Sequence, residues 1–285
     1  MNRALLLGVG LAVAAVTLLV TLSALRAGFY SVAPLAKVAP RRTALMRQRE
    51  TGARRMGRPY RVDQRWVPYA RISPVLRRAV LIAEDDAFYS HGGLDWNEIG
   101  ASARTNLERR RVVRGGSTVT QQLAKNLFLG DRRTLTRKLT EVLLAFRLER
   151  SLSKRRIFEL YLNLIEWGDG IYGVEAAAER YFQVPSSQLS ERQAVLLAAV
   201  IINPRRYSPL QPARRIERRV RMIASRMRRR GYLDQDQYLA VIGGAPLPPA
   251  PLPGWRVGAP AESATAPPHG TLAPGGAPDT SATPR

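Results

Sequence analysis

The longest apolar stretch of the chain lies at its N-terminal end. Residues 4–25 are apolar at every position except two threonines and one serine. As a helix rising about 1.5 Å per residue, this stretch spans the roughly 30 Å hydrocarbon core of a bilayer. We predict a transmembrane anchor over residues 4–25, preceded by a short cytoplasmic N-terminus at residues 1–3. A cleavable signal peptide is the alternative, but Arg26 interrupts the only small-residue cleavage site.

Beyond residue 70 the apolar positions recur with the period of an α-helix. An i, i+3, i+4, i+7 spacing appears three times, and no sustained alternation marks a strand. This pattern predicts a mostly α fold with a folded domain at residues 71–243. The three stripes are Leu76, Ala79, Val80 and Ala83; Leu135, Leu139, Val142 and Phe146; and Ala194, Leu197, Ala198 and Ile201.

Two flanking segments lack this pattern. Residues 26–70 are basic and contain four prolines, which indicates a juxtamembrane stem resting near the bilayer. Residues 244–285 hold eleven of the twenty prolines of the chain, among alanine, glycine, serine and threonine. Such a composition buries too little apolar surface to offset chain entropy, so we predict a disordered tail.

The net charge of +23 predicts an anionic partner or surface. The chain has no cysteine and only two histidines, which excludes disulfides, thiolate chemistry and a metal site rich in histidine or cysteine. Basic residues on both sides of the anchor leave its orientation open. A simple count would keep the domain in the cytoplasm, although large domains cross membranes regardless of charge.

An acidic side chain and a glycine-rich segment carry the candidate chemistry. Glu84 lies one position past the first apolar stripe, at the edge of the buried face, where desolvation raises a carboxyl pKa and suits a general base. The alternative is an acidic surface patch at a helix end. The segment at residues 115–126 begins with two glycines and places Gln121, Gln122 and Lys125 at a predicted helix start, which favours binding of a phosphate group.

Two further segments have both an ordinary and a functional interpretation. Arg137, Lys138 and Glu141 lie within one helical turn. They form either an exposed ion pair or a cationic clamp that a carboxylate orients. Residues 161–182 hold three glycines between helical stretches and indicate a tight corner, with Asn163 and the loop lining a cleft.

These segments together resemble the five motifs of the family 51 glycosyltransferases, the peptidoglycan polymerases. The motifs occur in family order over about residues 71–210, and the chain is most similar to the monofunctional Gram-negative branch. They comprise Glu84, Asp85, Phe88, His91 and Gly93; residues 115–126; Arg137, Lys138 and Glu141; residues 161–182; and Glu191, Ala194, Ala198, Pro204, Tyr207 and Pro209. One departure is Gln183-Val184, where many members have Gly-Lys.

The resemblance implies a lysozyme-like α-helical domain with a small mobile jaw lobe at residues 94–114. It also implies polymerisation of lipid II into β-1,4 glycan strands, inverting at MurNAc C1 and releasing undecaprenyl diphosphate. The catalytic domain would then lie on the periplasmic side of a single-pass anchor in the inner membrane. The implied partners are lipid II, the nascent strand, the anionic membrane surface and other cell-wall synthesis or division proteins, with no nucleic acid.

Roles for individual residues follow from the same resemblance. Glu84 would be the catalytic base and Glu141 the second carboxylate, positioning the clamp or a divalent ion on the diphosphate. No tightly bound cofactor is implied, although Mg²⁺ or Mn²⁺ would accompany the diphosphate. The implied substrate contacts are Asp85, Phe88, His91, Ser117, Thr118, Gln121, Gln122, Lys125, Asn126, Arg137, Lys138 and Asn163.

Two other functions compete with the polymerase. A lytic enzyme of lysozyme-like fold would cleave glycan and needs no diphosphate clamp. A non-enzymatic, membrane-anchored basic protein would bind anions without using Glu84. A Ser-x-x-Lys sequence at Ser151 and Lys154 matches a transpeptidase motif, but no Lys-Thr-Gly accompanies it. We interpret it as a helix junction and expect no transpeptidase activity.

Overall fold

A computed structural model of the protein describes residues 3–109, 116–131 and 134–244. The described chain is mostly α-helical with one small sheet, which confirms the predicted fold class. The helices are α1 (Arg3–Gly28), α2 (Ala44–Arg55), α3 (Pro74–Glu84), α4 (Trp96–Glu108), α5 (Val119–Ala124), α6 (Leu135–Ser151), α7 (Lys154–Leu164), α8 (Val174–Phe182), α9 (Glu191–Val200), α10 (Arg214–Arg229) and α11 (Gln235–Ile242).

Helix α1 is the predicted anchor. Its segment Leu5–Gly28 is long and apolar enough to cross a membrane, and its side chains are mostly exposed. The C-terminal half of α1 packs against α6, where the Ser23 hydroxyl donates a hydrogen bond to the Thr136 carbonyl over 3.3 Å. Arg147 of α6 also donates to the Ala27 carbonyl. The anchor is therefore joined to the domain by packing as well as by chain continuity.

The core is built around α9, whose residues from Ala194 to Val200 are all fully buried. A helix that is apolar on every side is stable only when other elements surround it. Helices α3, α10 and α11 pack against α9. The stripe on α3 faces this core through Leu76, Ala79 and Val80, as its spacing predicts.

The stripe predicted on α6 does not mark the buried face of that helix. Leu135 is 76% exposed and Phe146 is 37% exposed, whereas Leu144, Ala145 and Leu148 are buried. The helix packs against both α5 and α1, so its apolar residues are spread over more than one face. A single stripe therefore identified the helix but not the side that enters the core.

The segment interpreted as a stem forms regular structure within the domain. Thr43 caps the N-terminus of α2 by accepting a hydrogen bond from the Met46 N–H. Strand β1 (Asp63–Gln64) then pairs in parallel with β3 (Ile171–Tyr172), which pairs antiparallel with β2 (Glu166–Gly168). The sequence analysis did not predict α2 or β1, because polar and basic residues dominate this segment and leave no apolar periodicity. The domain boundaries themselves stay a prediction.

The corner at residues 161–182 needs glycine at two positions. Gly170 and Gly173 have φ values of +77° and +81°, in the region that favours glycine. A Cβ atom at Gly170 would also lie 2.6 Å from the Arg61 carbonyl oxygen, and one at Gly173 would lie 2.7 Å from that of Asn163. The predicted tight loop is thus confirmed, and it closes the sheet.

Three remaining predictions concern segments between or beyond these elements. The Ser-x-x-Lys sequence is a helix junction, as predicted, since α6 ends at Ser151 and α7 begins at Lys154. The proposed jaw contains α4, while its basic end at residues 110–115 lies outside the described residues. The proline-rich tail from residue 245 also lies outside them. The predicted jaw mobility and tail disorder stay predictions.

Candidate active site

Glu84 is the last residue of α3, a helix that Ser73 caps at its other end. The Glu84 carboxylate accepts a hydrogen bond from Gln122 over 3.0 Å and pairs with the Arg219 guanidinium over 2.5 Å. The side chain is only 12% exposed. Burial raises the pKa of Glu84 above its ordinary value, although Arg219, Gln122 and Lys125 oppose this shift. The raised pKa agrees with the position of Glu84 at the end of the apolar stripe.

Asp85, the next residue, connects elements of the fold instead of facing solvent. Its carboxylate accepts hydrogen bonds from His91 Nε2 and from the Val119 N–H, each over 2.9 Å. Because Gly93 donates to His91 Nδ1, the proton of the ring lies on Nε2. Burial raises the pKa of Asp85, and the His91 hydrogen bond opposes this effect. Asp85 therefore holds α3, the following loop and α5 together.

These contacts limit how the start of α5 could bind the predicted anion. The Val119 N–H is used by Asp85, and the Gln121 N–H donates to the Thr118 hydroxyl over 3.2 Å. The Gln121 side chain in turn accepts from the Thr118 N–H over 3.0 Å and completes a capping box. Two N–H groups of the first turn are thus used within the fold, so we assign anion binding mainly to side chains.

Several predicted substrate contacts are buried framework residues. Phe88 is 1% exposed and packs among aromatic rings, and the Thr118 hydroxyl donates to the Gly93 carbonyl over 2.7 Å. Asn163 is fully buried and bonds the backbone N–H and carbonyl of Val67, over 2.9 and 3.0 Å. The prediction that Asn163 lines a cleft therefore does not match its position. Asn163 instead joins α7 to the segment before α3.

A cleft of about 340 Å³ is lined by Gln122, the residue that donates to Glu84, while Glu84 itself lies behind Gln122. Among the described residues, Lys125 has neither an ion pair nor a hydrogen bond to its ammonium group. Burial lowers the pKa of Lys125, while the charge of Glu141 opposes this. The described side chains on its wall are Leu45, Arg49, Gln122, Lys125, Asn126, Asp131, Arg137, Ile165, Glu166, Ile201, Ile202, Asn203, Pro204 and Arg205.

A compact ion network on α6 forms one side of this cleft. Glu141 accepts from Arg137 over 2.6 Å and from Lys138 over 2.5 Å. Lys138 also donates to the Ser117 hydroxyl over 3.0 Å. The Glu141 side chain is 4% exposed and that of Arg137 12%, so the pair is not the exposed one that the alternative interpretation required. The Arg137 Nε is buried without a partner in the described part of the chain.

Gln122 joins the carboxylate to the cleft. Its amide nitrogen donates to Glu84, while its amide oxygen accepts from the Tyr161 hydroxyl over 3.0 Å. The Asn126 side chain donates to the Gln122 backbone carbonyl over 2.8 Å. Gln122 therefore separates the Glu84 carboxylate from a groove that contains Lys125 and Arg137, and it contacts both. This arrangement is suited to deprotonating a hydroxyl near an anionic group.

Comparison with known proteins identifies the family. The profile of the family described as Transglycosylase matches residues 51–228, a range that includes Glu84, Gln122, Lys125, Arg137 and Glu141. The chain belongs to the transglycosylase family. A biosynthetic peptidoglycan transglycosylase of Laribacter hongkongensis is 47% identical over 188 residues, covering 66% of this chain and 82% of the relative. One of Alcanivorax borkumensis is 46% identical over 209 residues, covering 73% and 78%.

In this transglycosylase, the residue that contacts Glu84 most closely was missed by the sequence analysis. Arg219 lies on α10, and its guanidinium also donates to the Ala83 carbonyl over 3.0 Å. Nothing in the sequence distinguishes Arg219 from its neighbours, because α10 carries arginines on most of its turns. Only the packing of α10 against α3 selects it.

A second buried carboxylate of the transglycosylase cleft was also missed. Glu166 pairs with Arg49 over 3.1 Å, and Arg49 pairs with Asp131 over 3.0 Å. Arg205 lies 3.9 Å from Glu166 on the other side. Burial raises the pKa of Glu166, and the charge of Arg49 opposes this. The signal that was available is the position of Glu166 directly before the glycine loop.

The described residues do not build a divalent-cation site of their own. No group of three or more His, Cys, Asp or Glu side chains converges within the described ranges. Both carboxylate oxygens of Glu141 are already paired, one with Arg137 and one with Lys138. The predicted divalent ion, held at Glu141 through the diphosphate, stays a prediction.

Proposed function

We propose that this transglycosylase polymerises the glycan strands of peptidoglycan from lipid II. The observation that carries the proposal is that Gln122 donates a hydrogen bond to Glu84 and also lines a groove that contains the cations Lys125 and Arg137. A base alone would suit many hydrolases. A base together with buried cations suits transfer from a diphosphate-linked sugar. The names of the relatives, biosynthetic peptidoglycan transglycosylases, are in agreement with this reaction.

Glu84 is the general base in this proposal. It removes the proton from the 4-hydroxyl of the acceptor GlcNAc while that oxygen bonds to MurNAc C1 of the donor strand. The bond from C1 to the diphosphate breaks, with inversion at C1, and undecaprenyl diphosphate leaves with its electron pair. Burial supports this role because a raised carboxyl pKa brings the base closer to neutral pH and strengthens proton abstraction.

Lys125 and Arg137 neutralise the diphosphate as it departs. A diphosphate is a good leaving group, so positive charge helps it more than protonation would. Lys125 has no competing carboxylate partner among the described residues, and Arg137 has a buried Nε with no acceptor there. Both donors line the cleft and are held in a partly desolvated place, where each charge interaction is stronger than in water.

Glu141 acts as a positioning residue for this cationic pair. Its ion pairs with Arg137 and Lys138 fix the two side chains against α6, and Lys138 extends the contact to Ser117. A divalent cation, where one takes part, would be held by the oxygens of the diphosphate. The reaction proposed for the chain uses its own cations.

The location follows from the substrate. Helix α1 anchors the protein, and lipid II is presented on the periplasmic side of the inner membrane, so the domain is placed there. The positive charges that follow α1 then face lipid headgroups on that side. Contacts with other cell-wall synthesis or division proteins are part of the same proposal.

A polymerisation assay with purified full-length protein and lipid II tests the proposal. We expect long glycan strands from lipid II and no release of fragments from preformed strands. Cleavage of preformed strands without polymer formation would instead support the lytic enzyme. Polymer formation that is unchanged in Glu84→Gln would contradict the assignment of the base.

A further inference from the structure

A second cavity, larger than the cleft, lies where the anchor meets the domain. It has a volume of about 650 Å³ and is bounded by the end of α1, by α2 and by the segment after α2. Among its described lining residues, Asp169 is the only carboxylate. The lining also contains six arginines: Arg26, Arg47, Arg49, Arg55, Arg58 and Arg205.

Most of this positive charge is not neutralised within the described chain. Arg49 and Arg205 are paired, with Asp131 over 3.0 Å and with Asp169 over 2.9 Å. The other four arginines have no ion pair there, and the guanidinium of Arg47 donates only to the backbone carbonyl of Arg42. Like charges around one cavity repel each other, so a bound anion would lower the free energy of the arrangement.

With α1 across a bilayer, this cavity would lie at the level of the lipid headgroups. Arg26 lies in the last turn of α1, within the membrane-spanning segment Leu5–Gly28, and the end of such a segment reaches the headgroup layer. Phe29, directly beyond it, is 88% exposed, so an apolar side chain is also available to the bilayer there. The contacts between α1 and α6 fix the end of α1 relative to the domain.

The lining suits an amphipathic ligand better than a free ion. Met56, which is 62% exposed, and Leu129 add apolar surface beside the arginines. A lipid headgroup with the first carbons of its chains has the same combination of charge and apolar surface.

We propose that this cavity binds the phosphate of an anionic phospholipid from the leaflet beside the domain. The lipid-linked diphosphate of the substrate is the competing occupant. It is disfavoured because Arg49 and Arg205, which border both cavities, already pair with carboxylates and form a neutral boundary between them. The proposal requires the anchor to be in a bilayer but does not depend on the proposed polymerase reaction.

Photolabelling of the full-length protein in phosphatidylcholine nanodiscs tests this site. The probe is a photoactivatable phosphatidylglycerol present at low mole fraction, and adducts are mapped by mass spectrometry. We expect adducts within residues 44–60. The triple variant Arg47→Gln, Arg55→Gln and Arg58→Gln should lose this labelling by about a hundredfold, because each arginine near anionic lipid contributes roughly fivefold.

A matched control removes the same charge elsewhere. Arg214, Arg215 and Arg218 are exposed on α10 and lie outside both cavities. Their triple exchange to Gln should leave adducts at residues 44–60 unchanged. An equal loss in this control, or equal labelling by a photoactivatable phosphatidylcholine, would overturn the proposal. If the first triple variant does not fold by circular dichroism, Arg55→Gln and Arg58→Gln are measured singly, each with an expected loss of about fivefold.

Two further measurements separate this site from the polymerase reaction. Glu84→Gln should keep full labelling, since it does not line the cavity. Added polyprenyl diphosphate should leave the adducts in place, whereas displacement of the probe at an equimolar amount would assign the cavity to the diphosphate and overturn the phospholipid. If the protein is labelled at residues 44–60 but does not polymerise lipid II, the proposed function is contradicted and the phospholipid site is not.

Discussion

The two carboxylates of the candidate active site are buried in different ways. Glu141 takes both of its cations, Arg137 and Lys138, from the preceding turn of its own helix. Glu84 takes its partners from elsewhere, with Gln122 on α5 and Arg219 on α10, the latter 135 positions away in the chain. One cluster is local and the other exists only after three helices have packed.

This difference explains the roles that the two groups can fill. The ion pairs with Arg137 and Lys138 engage both carboxylate oxygens of Glu141, so we assign it to positioning these cations. Glu84 is desolvated by packing, its pKa is raised, and its partner Gln122 lines the groove in which we place the substrate. A raised pKa and access to a substrate together are the properties of a general base.

The largest expected effect is that of Glu84→Gln. We expect kcat for lipid II polymerisation to fall by about 10²–10⁴, the usual contribution of a general base. The matched variant Glu141→Gln, which leaves the base in place, should lose less. A larger loss in Glu141→Gln than in Glu84→Gln would reverse the assignment of the two carboxylates.

Removing the cations comes next. Lys125→Ala and Arg137→Ala should each lower kcat by about 10²–10³, as expected for groups that stabilise charge in the transition state. Single-turnover measurements separate this effect from weaker substrate binding. If KM rises while kcat is unchanged, the cations bind ground state and transition state equally, and the proposed role in leaving-group departure is incorrect.

The partner of the base should have a smaller effect with a distinct signature. Arg219 lowers the pKa of Glu84, so Arg219→Ala should raise that pKa further. Because the base must be ionised, the acidic limb of the pH–rate profile should move to higher pH. Activity at neutral pH should fall about tenfold per unit of pKa shift when the limb crosses the assay pH.

Two variants on the same helix control this measurement. Arg218→Ala removes an exposed neighbouring charge and should leave the pH–rate profile in place. Arg219→Lys should restore part of the shift. An Arg219→Ala enzyme with reduced activity but an unmoved acidic limb would show a purely structural role.

The smallest expected effect concerns stability. Burial raises the pKa of Glu84 in the folded state, so folding favours its protonated form. The stability associated with that proton is present below the unfolded pKa of about 4.3 and is lost as pH rises through the folded pKa. The Glu84→Gln variant has no carboxyl group at this position, so its stability does not fall in this way as the pH rises. At neutral pH its Tm should exceed that of the unmodified protein by about 2–4 °C, for a difference on the order of 1 kcal/mol.

Thermal unfolding in detergent at several pH values measures this difference. The gap between Glu84→Gln and the unmodified protein should close as the pH approaches 4 from above, the range where unfolded glutamate protonates, about 4.3. Glu108→Gln, an exposed glutamate at the end of α4, should show no gap. A lower Tm for Glu84→Gln at neutral pH would mean that its ion pair with Arg219 outweighs the cost of burial.

The sequence predicted what depends on neighbouring residues. Helical periodicity gave α3 and α9, composition gave the anchor, and spacing placed Arg137 next to Glu141. The sequence-based predictions failed where one local pattern is compatible with two structural roles. The start of α5 has the composition of an anion site, but Asp85 and Thr118 occupy its N–H groups. Neither the pattern nor the composition indicates that Asp85, which follows α3, will accept a hydrogen bond from the Val119 N–H of α5.

The chain alone determined the apolar N-terminal helix, the mostly helical fold, the order of the motifs and the acidic side chain that we propose as the base. These properties depend on hydrophobicity and on residues within a few turns of each other. The tertiary structure decided that Arg219 pairs with Glu84 and that Asn163 is buried and bonds the Val67 backbone. It also placed arginines from α1 and α2 around one cavity. Such contacts join segments far apart in the chain, so they are set by how the helices pack and not by local sequence.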